Sequence, residues 1–198
     1  MINVKNFLAS LPLERKPDQC PIGLQFLLEE ASKLEPTTYL EIGCGQLAVV
    51  DLFSSLLPVT DGLAIGVDHR SYRSWTDWKN PNGVETKILI APSLEPNSTV
   101  QVREALENRM VDVLFIDGNH YVPYVEWDWK EYSPFVRSGG LVIFHDYDPS
   151  PGAISLDRNQ SDLEQQGPSI VCNRLSQEGY DIHIVPLSNV GTAYLYKK

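Results

Sequence analysis

Basic residues are scarce in this chain. Sixteen Lys and Arg stand against 26 Asp and Glu in 198 residues, a formal net charge of −10. No run of Lys or Arg breaks the acidic background. Duplex nucleic acid needs a clustered basic surface that displaces counterions, so the balance argues against a nucleic-acid partner. Anionic membrane surfaces are disfavoured for the same reason. Cysteine is also rare: Cys20, Cys44 and Cys172 are widely spaced, odd in number and form no CxxC pair. Free thiols in a reducing compartment are the plain reading. No segment approaches the roughly 20 apolar residues that span a bilayer. The opening MINVKNFLASLPLERK has neither the long apolar core nor the early basic cluster of a secretory signal. A cytosolic protein is expected, with no membrane partner. There is no internal repeat.

What is present is ordinary globular composition, 42% hydrophobic and 21% charged. The length suits one domain with a real core, so 1–198 is expected to fold as a unit. An N-terminal helical cap (1–36) is interrupted by Pro12, Pro17 and Pro21, its best helix being Ile22–Leu34. Strand and helix patterns then alternate. Strands are expected at Tyr39–Gly43, Leu63–Asp68, Lys87–Ala91, Val111–Asp117 and Leu141–Asp146. Helices are expected at Leu47–Leu57, Thr99–Met110, Tyr121–Val136 and Ser169–Glu178. Two closing strands, Asp181–Val185 and Thr192–Tyr196, are close enough for a hairpin. This predicts an α/β protein: a single Rossmann-like, doubly wound sheet of about seven strands, mostly parallel, with an antiparallel C-terminal edge. The polar stretch 147–168 breaks the rhythm, and its length and position suggest an active-site loop.

The chemistry concentrates in VDVLFIDGNHYVPYVEWDWKEYSPFVRSGGLVIFHDYD, from Val111 to Asp148. Two apolar runs end in ionisable residues, Asp117 with His120 and His145 with Asp146, and one helical crossover joins them. In an open parallel sheet such strand ends meet at one edge, where ligands bind. Upstream, Tyr39-Leu-Glu-Ile-Gly-Cys-Gly-Gln46 runs a strand into Gly43-x-Gly45 and a helix start, which offers free amides. Asp68 ends the next strand, 23 residues past Gly45, where a carboxylate can accept both hydroxyls of a ribose.

Glu41-Ile-Gly43-Cys-Gly45 resembles motif I of class I S-adenosylmethionine (SAM)-dependent methyltransferases. The block from IDG through HD resembles the branch that contains small-molecule and sugar O-methyltransferases and cephalosporin-hydroxylase-like proteins. The resemblance covers roughly Tyr39–Asp146. It implies a SAM site in which Glu41 lies near the cofactor's amino group and Gly43, Cys44 and Gly45 give backbone contacts. Asp68 would bind the ribose, Ser93 would lie near the adenine, and Asp117 would also contact the cofactor. The motif's third glycine is Leu47 here, expected to tighten the loop around the methionine part of the cofactor. In metal-using members, Asp117 and the residues His145 and Asp146 would hold a divalent ion, Mg, Mn, Fe or Zn, which acidifies a vicinal hydroxyl pair. Imidazole favours Mn, Fe or Zn over Mg. His120 is the natural general base, assisted by Asp117, with an ordinary pKa near 6.5.

Milder readings stand beside these. His145 can serve by bonding a backbone carbonyl, and Asp117 by capping the following helix. Cys44 reads as a packing residue. Asp128, 11 residues after Asp117, can be structural or orient His120. Trp75 and Trp78 can flank the adenine or pack on the surface. The expected function is O-methylation of a small hydroxylated molecule or sugar, by a protein of a kind that often forms homodimers. A nicotinamide-dependent oxidoreductase is disfavoured because the IDGxH and HD motifs have no role there. A non-catalytic SAM-fold domain is the remaining alternative.

Overall fold

Apolar runs such as Val113-Leu-Phe-Ile116 make strands buried on both faces, the signature of a parallel sheet covered by helices. A computed structural model shows this arrangement. It describes residues 2–75, 77–147, 166–185 and 191–198. The expected active-site loop falls almost wholly in 148–165, outside the described residues. Seven strands form one sheet: β1 (Thr38–Ile42), β2 (Leu63–Asp68), β3 (Glu85–Ile90), β4 (Val111–Ile116), β5 (Val136–His145), β6 (His183–Ile184) and β7 (Thr192–Tyr196). Their order is β3-β2-β1-β4-β5-β7-β6. The first five are parallel, while β7 runs antiparallel to both β5 and β6, which gives the expected edge hairpin.

Period-two alternation sorts the strand side chains into two cores. On one face Leu40, Ile42, Ile65, Val67, Leu114, Ile116, Val142 and Phe144 meet Val102, Leu106, Val125, Tyr132 and Val171. These come from α4 (Pro96–Leu106), α5 (Val122–Tyr132) and α6 (Gly167–Gln177). On the other face Tyr39, Ala64, Val113, Phe115 and Ile143 meet Leu8, Leu24, Leu28, Val50 and Phe53. Those belong to α1 (Val4–Ser10), α2 (Pro21–Ser32) and α3 (Ala48–Ser54). The sheet is therefore wound on both sides.

Element boundaries differ from expectation where proline acts. Pro21, Pro96 and Pro168 sit in the first turns of α2, α4 and α6 rather than before them. Proline's fixed φ suits the first helical position, and its missing N–H has no partner there to lose. At the other end, Pro134 turns the expected tail of α5 into a short 3₁₀ helix (Ser133–Phe135). Strand β5 then begins at Val136, with a register shift against β4 between Val111 and Val113.

The strand order reverses between β1 and β4, and at their C-terminal ends lies the crevice that open α/β sheets use for ligands. The Asp117 N–H donates to the Ile42 carbonyl at 2.8 Å, which brings the IDG turn against the glycine turn after β1.

Candidate active site

The glycine turn is shaped by its neighbour. Gly43 has φ of +86°, and a Cβ there would lie 2.1 Å from the Asp117 carbonyl oxygen and 2.7 Å from Gly118 Cα. Only hydrogen fits. Gly45, also left-handed at +43°, has nothing within 4 Å of its Cβ position and so faces open space. Leu47, in the third-glycine position, keeps the glycine-like backbone at φ +64° and caps α3. Its side chain is fully buried in the α3 core and lines neither ligand cavity. It therefore does not tighten the loop around a ligand, as its position suggested.

Two cavities meet at this turn. The first, of about 560 Å³, is lined by Gly43, Gly45, Asp68, His69, Ser93 and Gly118, among others. The second, of about 510 Å³, is lined by Glu41, Cys44, Gln19, His120, His145 and Asp146, among others. Gly43, Gly45, Tyr72 and Asp117 border both. Both volumes fall in the usual range for small-molecule sites.

In the first cavity, Asp68 is buried at the end of β2 and accepts the Gly45 N–H at 2.9 Å on Oδ2. Its Oδ1 lies 3.1 Å from His69 Nδ1 and accepts the Arg70 N–H at 3.3 Å. A carboxylate has about four acceptor directions, so capacity remains for hydroxyls. The Ser93 carbonyl is clamped from α5 by Trp127 Nε1 at 2.8 Å and the Tyr132 hydroxyl at 3.0 Å. The Trp75 indole donates to the Gly45 carbonyl at 2.9 Å, and Trp78 packs against the α1–α3 core. Neither tryptophan lines a cavity. The surface-packing reading therefore describes both.

In the second cavity, Glu41 is buried and accepts the Tyr39 hydroxyl at 2.8 Å. Burial holds its carboxyl well above the usual range, and the Asp117 and Asp68 carboxylates add to the effect. Cys44 is buried with its thiol pKa pushed far up by burial, and its Sγ packs over Gly66 of β2. A thiol so far from ionising is a packing group rather than a nucleophile.

The two strand ends form an acid–imidazole cluster. His120 Nδ1 lies 2.7 Å from Asp146 Oδ2, and its Nε2 lies 3.5 Å from Asp117 Oδ1. These two carboxylates push the His120 pKa up to about 9. His145 is buried, with Nδ1 3.0 Å from Asp117 Oδ1 and 3.1 Å from Asp146 Oδ1. Burial opposes its charge, but Asp117, joined by Asp146, outweighs it and raises the pKa. No hydrogen bond of good geometry reaches either His145 ring nitrogen or His120 Nε2. The reading of His145 as a carbonyl-bonded structural residue therefore does not describe it. Nor does Asp117 cap α5, whose N-cap is Tyr121 without a side-chain bond. One donor atom each from Asp117, His120 and His145 lies within 4.8 Å of the others. Asp146 pairs with His120 and stands outside that trio.

The sequence reading missed the residues that roof this cluster. Arg15 ion-pairs with buried Asp51 at 2.6 Å and donates to the Gln46 carbonyl at 3.2 Å. This fixes the segment Lys16–Gln19 over the second cavity. The Gln19 side-chain amide donates to Asp117 Oδ2. No periodicity marks such a segment. The closely spaced Pro12, Pro17 and Pro21 are its only sequence trace.

A glycine turn at the reversal of a β3-β2-β1-β4-β5 sheet, an acid ending β2 and a reversed β7 define the class I methyltransferase architecture. Solved structures agree. The chain aligns with the O-methyltransferase TomG from Streptomyces achromogenes, in complex with SAM, at 15% identity and a TM-score of 0.68, covering 100% of this chain and 91% of that one. An O-methyltransferase from Bacillus cereus, in complex with SAH, aligns at 18% identity and 0.65, covering 98% and 90%. No curated protein sequence matches the chain. A family profile described as "Methyltransferase domain" matches residues 40–147, more than half the chain, and the protein belongs to that family. Among the described residues, no helix is long and apolar enough to cross a membrane.

Proposed function

We propose that the protein is a SAM-dependent O-methyltransferase acting on a small hydroxylated molecule or sugar, with His120 as general base. The observation that carries this reading is the orphaned His120 Nε2 in a cavity that meets the first cavity at Gly43, Gly45 and Asp117. Family membership sets the nicotinamide alternative aside.

The first cavity fits the nucleoside. Asp68 takes the ribose hydroxyls, the open space before Gly45 admits the chain of the cofactor, and Ser93 borders the base. Glu41 and the Gly43–Gly45 turn hold the amino-acid end. SAM, when bound, supplies a methyl group on a charged sulfonium, so little is asked of the protein beyond alignment and proton removal. Asp146 holds Nδ1 of His120, which leaves Nε2 to take the acceptor's hydroxyl proton. Asp117 stabilises the imidazolium that results. The Lys16–Gln19 segment roofs the cavity and excludes water from the charged centre.

The trio also fits a divalent cation. An imidazole beside a carboxylate suits Mn, Fe or Zn better than Mg. A nitrogen bound to a metal has no lone pair for a proton, so we place such an ion on Asp117 and His145 and keep His120 as the base. When bound, it would acidify a coordinated hydroxyl.

The test is release of SAH from SAM by chelator-treated protein, assayed with a panel of vicinal diols and sugars across pH 6–10. Base catalysis needs neutral His120, and a pKa of about 9 leaves roughly one molecule in a hundred neutral at pH 7. Transfer should therefore rise with pH to a plateau, with its midpoint near 9. A flat profile over that range contradicts the role of His120. Complete loss on chelation, restored by Mn or Zn, would show that transfer needs the ion beside Asp117 and His145 as well as the base.

A further inference from the structure

The nitrogen proposed to take the proton is closed off. His120 Nε2 is buried, and among the described residues it has no hydrogen-bond partner. An acceptor hydroxyl reaches it only if a neighbour moves. Most of the second cavity's lining belongs to strand ends, the glycine turn and α3, which the sheet holds in place. The segment Lys16–Gln19 lies outside that frame. It is anchored on both sides, by Arg15 on Asp51 at 2.6 Å and by Pro21 in the first turn of α2. So short a span between two anchors leaves the backbone little travel, whereas a side chain on it changes rotamer readily.

Gln19 is the side chain of that segment that reaches the cluster. A carboxylate oxygen only accepts, so Asp117 Oδ2 fixes which half of the amide faces it: the amide nitrogen donates to Oδ2, and Oε1 points elsewhere. Oε1 is itself buried and has no partner among the described residues. An amide placed for stability alone has both halves bonded, and this one leaves its acceptor half unused. The other oxygen of Asp117, Oδ1, lies 3.5 Å from His120 Nε2 and 3.0 Å from His145 Nδ1. Gln19 and the free nitrogen of the base thus stand against the two oxygens of one carboxylate.

We propose that the Gln19 side chain is a plug: it occupies the acceptor's place on Asp117, covers His120 Nε2, and swings out when an acceptor hydroxyl enters. The role given to the acceptor rests on the reading of His120 as the base. The closed state is favoured by roughly ten- to a hundredfold, the worth of one hydrogen bond to a charged group. Opening returns the stranded Oε1 to water, so the plug is held firmly enough to close the site and loosely enough to leave it. An acceptor therefore binds more weakly than its own contacts allow, by the fraction of molecules that stand open.

The test needs neither cofactor nor acceptor. Diethyl pyrocarbonate acylates neutral imidazole nitrogen, and its reaction with His120 is followed by peptide mass spectrometry on chelator-treated protein. Exposed His69 in the same sample is the reference. Rates are expressed per neutral imidazole, with the neutral fraction of each histidine taken from an NMR titration, so that they read access and not charge. Wild-type His120 should react at least about tenfold more slowly than His69. Gln19→Ala and Gln19→Leu should each speed it by at least about fivefold, leucine because it keeps the bulk and loses the bond. Cys172, buried on α6, should stay unreactive to a thiol reagent in both variants. A smaller difference in wild type, or a smaller gain in either folded variant, overturns the proposal. A Cys172 that becomes reactive overturns it too, since the gain then comes from loosening of the whole fold. Should Gln19→Ala fail to fold, Gln19→Leu decides alone. Failure here leaves His120 as the base under some other cover, whereas unimpaired methyl transfer by His120→Ala would remove the base reading itself.

Discussion

Replacing His120 with alanine is expected to slow methyl transfer by roughly 10²–10⁴-fold, the range for a positioned general base. That corresponds to about 3–5 kcal/mol of transition-state stabilisation. Cofactor affinity should change little, within about twofold, because the proposed cofactor contacts run to Asp68, Glu41 and the glycine turn and not to His120. The pairing matters to this expectation. Asp146 fixes the ring through Nδ1 at 2.7 Å, so the imidazole is held whether or not an acceptor is present. His120→Gln should lie close to His120→Ala in rate, since an amide fills the space without a basic nitrogen. Initial rates of SAH release at pH 9, beside SAH titrations of each variant, check this. Transfer within threefold of wild type would move proton removal to Asp117 or Asp146.

Gly43→Ala is expected to be the most damaging single change at the cofactor turn. The new Cβ would meet the Asp117 carbonyl oxygen at 2.1 Å, a contact with backbone rather than with a side chain that can swing away. The left-handed φ of +86° adds strain for any L-residue, about 1–2 kcal/mol. Either the glycine turn or the IDG turn must shift, and both carry proposed site residues. A loss of about 4 kcal/mol would lower the melting temperature by roughly 8–16 °C for a domain of this size, and SAH binding should fall more than about 100-fold. Gly45→Ala is the control: it carries the strain of its φ but meets nothing within 4 Å. Its melting temperature should fall by only a few degrees. Equal melting temperatures for the two variants would show that the approach of the turns is not fixed.

Much of this was legible because burial on both faces leaves a plain trace. Leu63–Asp68 and Thr192–Tyr196 agree with expectation to the residue, being apolar runs closed by turn-forming sequence. The reversal of β7 followed from the short gap to β6. Helix starts were misplaced because proline reads equally as a breaker and as a first-turn residue, and nothing local separates the two. Asp117, His120, His145 and Asp146 were legible as a cluster because strand ends share one sheet edge. What they do to one another was not. The expected pKa near 6.5 for His120 took no account of two carboxylates, since only the fold decides which acids face the imidazole. Gln19 and Arg15 were invisible for a related reason. Their partners Asp117 and Asp51 lie 98 and 36 residues away, and no pattern in a non-repeating segment encodes such contacts. Leu47 shows the opposite limit. The motif position kept its left-handed backbone while the side chain turned into the core, a choice set by packing under α3.

Asp68 and the glycine turn are proposed to form the SAM site. Calorimetric titration with SAH, and with NADH as the competing nucleotide, of wild type and Asp68→Ala tests it most directly. Expected are micromolar SAH binding to wild type, no detectable NADH binding, and a loss of at least tenfold in Asp68→Ala, whose alanine can no longer accept ribose hydroxyls. SAH affinity unchanged by Asp68→Ala, or tighter binding of NADH than of SAH, would contradict it.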